Sequence, residues 1–420
     1  TLFTTSPDMA ATTPTDNAKK AAARKHERIQ AWKRVYKNWD PEGAHKLVWE
    51  TEPWLDTFAA ASRSKDGDSL RALRCIVQDG TRRACTPDEK GEFGYILPSG
   101  ERLVYCTSKQ TMIDQIASHK MHTFSWQFNW KEDLPALETK HETVFEVVEG
   151  DCLEAAATLI AKGLRPVVLN MASDHVPGGG YKGGSGAQEE NLFRRTNLLR
   201  VLANEDRWYD PRGKSEVAPN KLYPLPDPSA IYSPSAFVLR GTEADGYPWL
   251  EKPYEVAFIA SAAYRRPRLE KGEQRLISKM AEGFAQKVRG LLWTCAHYGH
   301  DSAVLSAWGC GAFRNPPGHI AQIFKEVLQE DWLQGRFKHI TFAIFDDHNA
   351  RKEHNPEGNV KPFIKVFQSA PTTKTTAAAS SAASSSQQAS SSQVASSSSS
   401  PSAPEAAPSA NSSSTEAPAS

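Results

Sequence analysis

From Thr143 to Phe367 the chain alternates short apolar runs with longer amphipathic ones, and few folds accept that pattern. PVVLNM, AVLSAW and HITFAIF are apolar at consecutive positions, so each reads as a strand buried on both faces, and FEVVEG joins them. CLEAAATLIAKG, closed by Gly163, reads as a helix. EENLFRRTNLLRVLAN, EQRLISKMAEGFAQKVRGLLWTCAHYG and HIAQIFKEVLQE read the same way. AIYSPSAFVLR and EVAFIASAA add two strands joined by a long loop, and PFIKVF closes the region with its type left open. The expected class is α/β: a mixed, mostly parallel sheet with helices on both faces.

That region is placed at residues 141–369 of 420. Residues 1–17 are Thr-, Pro- and Asp-rich and are expected to be disordered, as is the Ser/Ala/Pro-rich tail at 370–420. Residues 18–140 read as an accessory region. It opens with a basic run, Ala18–Asn38, read as a solvated helix packed through Ile29, Trp32 and Val35; a nuclear-targeting or polyanion patch is the other reading. LVWETEPWLDTFAAA follows as an amphipathic helix. YILPSGERLVYC is a hairpin turning at Pro98–Gly100, and Ser108 caps a helix running to His119.

The net charge of +1 gives no ground for direct nucleic-acid binding. Six cysteines without a CxxC pair exclude a zinc ribbon and favour reduced thiols in an intracellular setting, nucleus or cytoplasm. His119 and His122 lie three apart with no further ligands converging, so no metal is expected. No apolar run approaches the roughly 18 residues of a membrane span, and no signal-like apolar core opens the sequence. A monomer is expected.

Chemistry concentrates in PVVLNMASDHVPGGGYKGGSGAQEENLF, residues 166–193. A strand ends at the polar Asn170. Gly178, Gly179 and Gly180 follow, then Gly183, Gly184 and Gly186, and a helix opens with Gln188, Glu189 and Glu190. Glycine-rich turns let backbone N–H groups converge on an anion, and the helix start adds unpaired N–H groups. An anion cradle gains nothing from two acids, so the pair is read as chemistry or hydroxyl binding. Neighbouring residues on a helix point about 100° apart, so Glu189 and Glu190 are assigned different tasks.

A second strand–glycine–helix unit, AVLSAW followed by Gly309, Cys310, Gly311, Ala312 and Phe313, ends at Asn315-Pro316-Pro317. In open α/β sheets ligands bind beyond the carboxyl ends of strands. If the two strands are neighbours, the two loops flank one crevice suited to a diphosphate, with Phe313 against a sugar or base. Gly178, Gly180 and Gly183 satisfy GxGxxG, but too far from both strand and helix for a dinucleotide fold. Trp208 stands where a P-loop ending at Ser215 needs glycine. Ala187 breaks the nucleophile-elbow pattern around Ser185.

The run GGGYKGGSGAQEE resembles the signature of poly(ADP-ribose) glycohydrolases. VVLNMAS, IYSPSAFVLR, SAWGCGAFRNPP and FAIFDDHN…NPEGNVKPFIKVF resemble the microbial branch of that family. The resemblance covers residues 140 to 368 and implies a macrodomain, a three-layer α/β/α sandwich that binds ADP-ribose without cofactor or metal. It implies hydrolysis of ribose–ribose bonds in ADP-ribose polymer and poly(ADP-ribosyl)ated proteins, as in the DNA damage response. Carried over, Glu190 is the general acid/base, Glu189 holds the hydroxyls of the reacting ribose, and Gln188 buttresses the loop. Asn170 lies near that ribose. Gly178–Gly180 and Gly309–Phe313 are the diphosphate loops, and Asp151 reads the adenine amino group. SAAYRRP, at 261–267, departs from the small residues and Asn usual there. Two other readings stay open: a macrodomain that binds ADP-ribose without cutting it, and a hydrolase of mono-ADP-ribosylated protein.

Overall fold

The computed structural model describes residues 30, 36–37, 48–203, 222–272, 274–346 and 349–367. Strands β5 (Lys120–Thr123), β6 (Val144–Glu149), β7 (Pro166–Met171), β8 (Ser229–Arg240), β9 (Trp249–Ser261), β10 (Ser302–Leu305) and β11 (His339–Ile344) form one seven-stranded sheet. Its order is β5-β8-β9-β7-β10-β11-β6. The five strands from β9 to β6 are parallel, while β8 is antiparallel to both β9 and β5. β7 shows why both faces are covered. Val168 packs in one core, among helices α4 (Cys152–Ala161), α5 (Gln188–Arg195) and α6 (Leu198–Val201). Val167 and Leu169 point to the other core, under α7 (Ser278–His297), α8 (Pro317–Leu328) and α9 (Val360–Phe367). This is the expected three-layer α/β/α sandwich.

A smaller sheet, β1 (Tyr36–Lys37), β2 (Val48–Trp49), β3 (Phe93–Ile96) and β4 (Arg102–Cys106), lies in the expected accessory region. Helices α1 (Thr51–Arg63), α2 (Gly67–Ala84) and α3 (Lys109–Ala117) accompany it. Asp66 caps α2 and Ser108 caps α3 through their side-chain oxygens. β5, which also falls before residue 141, is an edge strand of the large sheet.

Several elements differ from expectation. Val48 and Trp49 are not helical: they form β2, and α1 starts at Thr51. Of the basic run, the structure describes Gln30 and the strand Tyr36–Lys37; the rest lies outside the described residues. EENLFRRTNLLRVLAN is not one helix. Thr196 is extended and bridges Val238, and Asn197 exchanges two hydrogen bonds with the Phe237 backbone, so pairing with β8 outcompetes one helical turn. Residues 274–277 are not helical: Leu276 bridges Leu269, which delays α7 to Ser278. PFIKVF is helical, within α9. All six cysteines are buried, and none forms a disulfide. No described helix is long and apolar enough to cross a membrane.

Candidate active site

β7 and β10 are parallel neighbours, pairing Ser302 with Pro166 and Val304 with Val168, so the two glycine loops do leave adjacent strand ends. Beyond Val168 the register with β10 stops, and Gln188 takes over that edge of β7. Its amide accepts from Met171 N–H at 2.9 Å and donates to the Leu169 carbonyl at 2.7 Å. The start of α5 is thereby fastened to the end of β7.

The first loop corrects the sequence reading. Gly178 N–H donates to Glu189 Oε1 at 2.9 Å, and Gly180 N–H donates to Glu190 Oε1 at 2.9 Å. Gly179 N–H is directed to the Val176 carbonyl. The three amides assigned to a phosphate are thus turned inward, two of them onto the protein's own carboxylates. The carboxylates also lie closer than their helical angle implied. A Cβ on Gly179 would sit 2.9 Å from Glu190 Oε1 and 3.0 Å from Glu189 Oε2. Gly179, at φ +52°, offers no side chain, and both acids fold over it.

The two acids differ in how they are held. Glu189 is buried and has both oxygens engaged, since Ser173 N–H donates to Oε2 at 2.7 Å. Burial pushes its pKa up to about 8, against the pull of the Ser173 and Gly178 amides, and the Glu190 charge adds to the rise. Glu190 has one oxygen pinned by Gly180 and a second without a hydrogen-bond partner among the described residues. Asn170 is fully buried at the end of β7, and neither amide atom makes a hydrogen bond of ordinary length among the described residues, though the side chain lies close enough to Glu189 to counter the rise of that carboxyl's pKa. Such a group costs stability unless something bonds it.

The shift on Glu189 predicts a pH dependence. Its folded pKa lies above its ordinary value of 4.5, so its contribution to stability is complete below about 4.5 and is lost as pH rises through about 8. In that window it lowers stability by up to about 1.4 kcal/mol per pH unit. Glu189→Gln is expected to flatten the slope. Urea unfolding of both proteins from pH 5 to 8.5 checks this, and identical slopes would contradict it.

The second loop differs from the first in leaving most of its amides unengaged among the described residues. Gly309 (φ +74°) turns the chain, and a Cβ there would lie 2.5 Å from Ala263 Cβ. Asn315 Nδ2 donates to the carbonyls of Gly309 (3.0 Å) and Tyr264 (2.7 Å), and His354 Nε2 lies 3.0 Å from the Cys310 carbonyl. The N–H groups of Gly309, Gly311, Ala312 and Phe313 have no acceptor among the described residues. Phe313 is half-buried against the second core. Asp151 lies at the end of β6, two strands from β10. One of its oxygens caps α4 through the N–H groups of Leu153 and Glu154, and the other pairs with buried Arg195 at 2.6 Å.

Sequence reasoning missed a brace behind the first loop. Arg74, on α2, pairs bidentately with Glu243 at 2.7 and 2.8 Å. Tyr247 donates to Glu243 at 2.7 Å and accepts from Arg194 Nε, while Arg194 Nη1 donates to the Ser185 carbonyl at 2.7 Å. It also missed Phe345, a 56% exposed aromatic at the carboxyl end of β11, between the second loop and Asp151. The signal was an aromatic just past an otherwise buried strand.

Residues 92–241 match a family described as the microbial-type PARG catalytic domain. The fold is similar to a poly(ADP-ribose) glycohydrolase from Thermomonospora curvata crystallised with the inhibitor ADP-HPD. Identity is 26% and the TM-score 0.51, over 71% of this chain and 98% of that one. A second structure of the glycohydrolase from the same organism is similar at 27% identity and TM-score 0.51, over 71% of this chain and 99% of that one. No curated protein matches the chain.

Proposed function

We propose, on the premise that residues 92–241 carry a microbial-type poly(ADP-ribose) glycohydrolase catalytic domain, that the protein releases ADP-ribose from ADP-ribose polymer with one glutamate as both acid and base. The observation that carries the single-glutamate reading is the asymmetry of the pair. Glu189 has each oxygen held by one backbone amide and keeps only a remaining lone pair for a hydroxyl, whereas Glu190 has one oxygen held and one without a hydrogen-bond partner among the described residues.

Two carboxylates on one helix start cannot straddle a glycosidic bond at the roughly 5–9 Å that paired-acid glycosidases use. Glu190 therefore serves both half-reactions. Protonated, it gives its proton to the glycosidic oxygen as the C1″–O bond breaks, and positive charge develops on the ribose. Ionised, it takes a proton from the water that attacks C1″, which restores the acid and leaves a hydroxyl on the released ADP-ribose. A diphosphate on the free amides of Gly309, Gly311, Ala312 and Phe313 lies beside that charge and stabilises it. Glu189, neutral below about pH 8, holds ribose hydroxyls without repelling the diphosphate. Asn170 supplies the remaining polar contact to that ribose. Phe345 is available to the adenine ring by stacking, and Asp151, occupied twice over, acts through the helix it caps.

The test incubates the protein separately with automodified polymer and with singly ADP-ribosylated protein, and assays free ADP-ribose. Release from polymer alone is expected. Release from the singly modified protein alone would replace this reading with a mono-ADP-ribosyl hydrolase, and binding of ADP-ribose with no release from either would leave a binding module.

A further inference from the structure

The stretch after β9 departs from the family pattern in a particular way. From Arg265 to Arg275 it holds five basic residues and two acidic ones, in a chain of net charge +1. Arg265, Arg266 and Arg268 are exposed, and no carboxylate pairs with any of them among the described residues. Their loop is tied to the second glycine loop: Arg266 N–H donates to the Phe313 carbonyl at 2.7 Å, and Asn315 joins Tyr264 from the other side. Arg266 holds a left-handed φ of +50°, which non-glycine residues seldom adopt. The arginines are therefore fixed at the rim of the crevice by backbone contacts rather than free on a distant surface.

Sheet order says what reaches them. The strand ends run β9, β7, β10, β11. On the reading above, the diphosphate lies at β10 and the reacting ribose at β7. The rest of the polymer, beyond the scissile oxygen, leaves the crevice over its open rim, and the loop after β9, laid against the second glycine loop, forms part of that rim. We propose that Arg265, Arg266 and Arg268 form a subsite for the pyrophosphate of the ADP-ribose unit on the leaving side of the cut bond. This inference rests on the proposed function. It assigns the arginines to polymer capture and not to the terminal unit, since among the described residues no hydrogen bond joins their side chains to the loops that hold that unit.

The experiment measures affinity for purified polymer and for ADP-ribose, in Glu190→Gln protein with and without Arg265→Gln, Arg266→Gln and Arg268→Gln together. Each replacement keeps its backbone N–H, so the Phe313 contact survives. Polymer affinity is expected to fall about tenfold near physiological salt, with ADP-ribose affinity unchanged. The slope of log affinity against log salt should become shallower by about 2, three contacts at roughly 0.7 each. Three Arg→Lys replacements should restore most of that slope. Unchanged polymer affinity overturns the proposal, and so does an equal loss for ADP-ribose and polymer. A single-stranded oligonucleotide of equal charge competing as well as polymer overturns it in favour of an indiscriminate anion patch. Wild-type hydrolysis is followed in parallel. If wild type neither cuts polymer nor binds ADP-ribose, the functional reading itself fails and takes the subsite with it. Intact hydrolysis with no arginine effect removes the subsite alone.

Discussion

Glu190→Gln is expected to lower ADP-ribose release from polymer by a factor of roughly a hundred to ten thousand while ADP-ribose affinity stays within about threefold of wild type. The size follows from what general acid–base catalysis contributes, roughly 10²–10⁴ in rate, when the single group that both gives and takes the proton is removed. The sparing of affinity follows from geometry. Gln keeps a carbonyl oxygen to accept from Gly180 N–H, so the loop retains its anchor. The free amides of Gly309, Gly311, Ala312 and Phe313 lie in the loop after another strand and do not feel the change. Glu189→Gln should behave differently. It leaves the Glu190 proton path in place but alters the hydroxyl contacts, so KM and kcat both move and neither collapses. Calorimetry with ADP-ribose and a polymer assay on the three proteins decide the matter. A Glu190→Gln protein with more than a tenth of wild-type turnover would remove Glu190 from its role.

The parts of the site legible in the sequence are those held by local pattern. Gln188, Glu189 and Glu190 sit at a helix start that follows a strand by a glycine-rich loop, and that order dictates which strand end they reach. The adjacency of β7 and β10 was only a condition of the sequence reading, since two similar units in one parallel sheet need not be neighbours, and the strand pairing meets it. What could not be read depends on partners far along the chain. Arg74 and Glu243 are 169 residues apart, and neither stands in a motif. The break at Thr196 depends on Val238 competing for its backbone. The use of the Gly178 and Gly180 amides was misjudged for a related reason. A loop that can cradle an anion cradles whichever anion is nearest, and the nearest ones are carboxylates about ten residues on in the same chain.

The same dependence on distant partners predicts that Gly184→Ala is among the most damaging single changes in the loop. Gly184 has φ +74°, and a Cβ there would lie 2.1 Å from the carbonyl oxygen of Arg71, on α2. The contact is with backbone, so no rotamer change relieves it. A left-handed alanine costs roughly 1–2 kcal/mol by itself, and displacing a packed helix adds to that, so a loss of about 3 kcal/mol or more is expected. Gly183→Ala is the control, because nothing lies within 4 Å of its Cβ position and its φ is not left-handed; it should change stability by less than about 0.5 kcal/mol. The activity consequence separates a brace from mere packing. Ser185 N–H bonds the Gly180 carbonyl, and Gly180 N–H holds Glu190, so a shift at Gly184 reaches the reacting carboxyl within two hydrogen bonds. Turnover of folded Gly184→Ala should therefore fall at least tenfold, with ADP-ribose affinity much less affected. Urea unfolding and polymer turnover at a temperature where both variants are folded check the pair. Equal behaviour of the two alanines would mean that α2 merely lies beside the catalytic loop and does not set its shape.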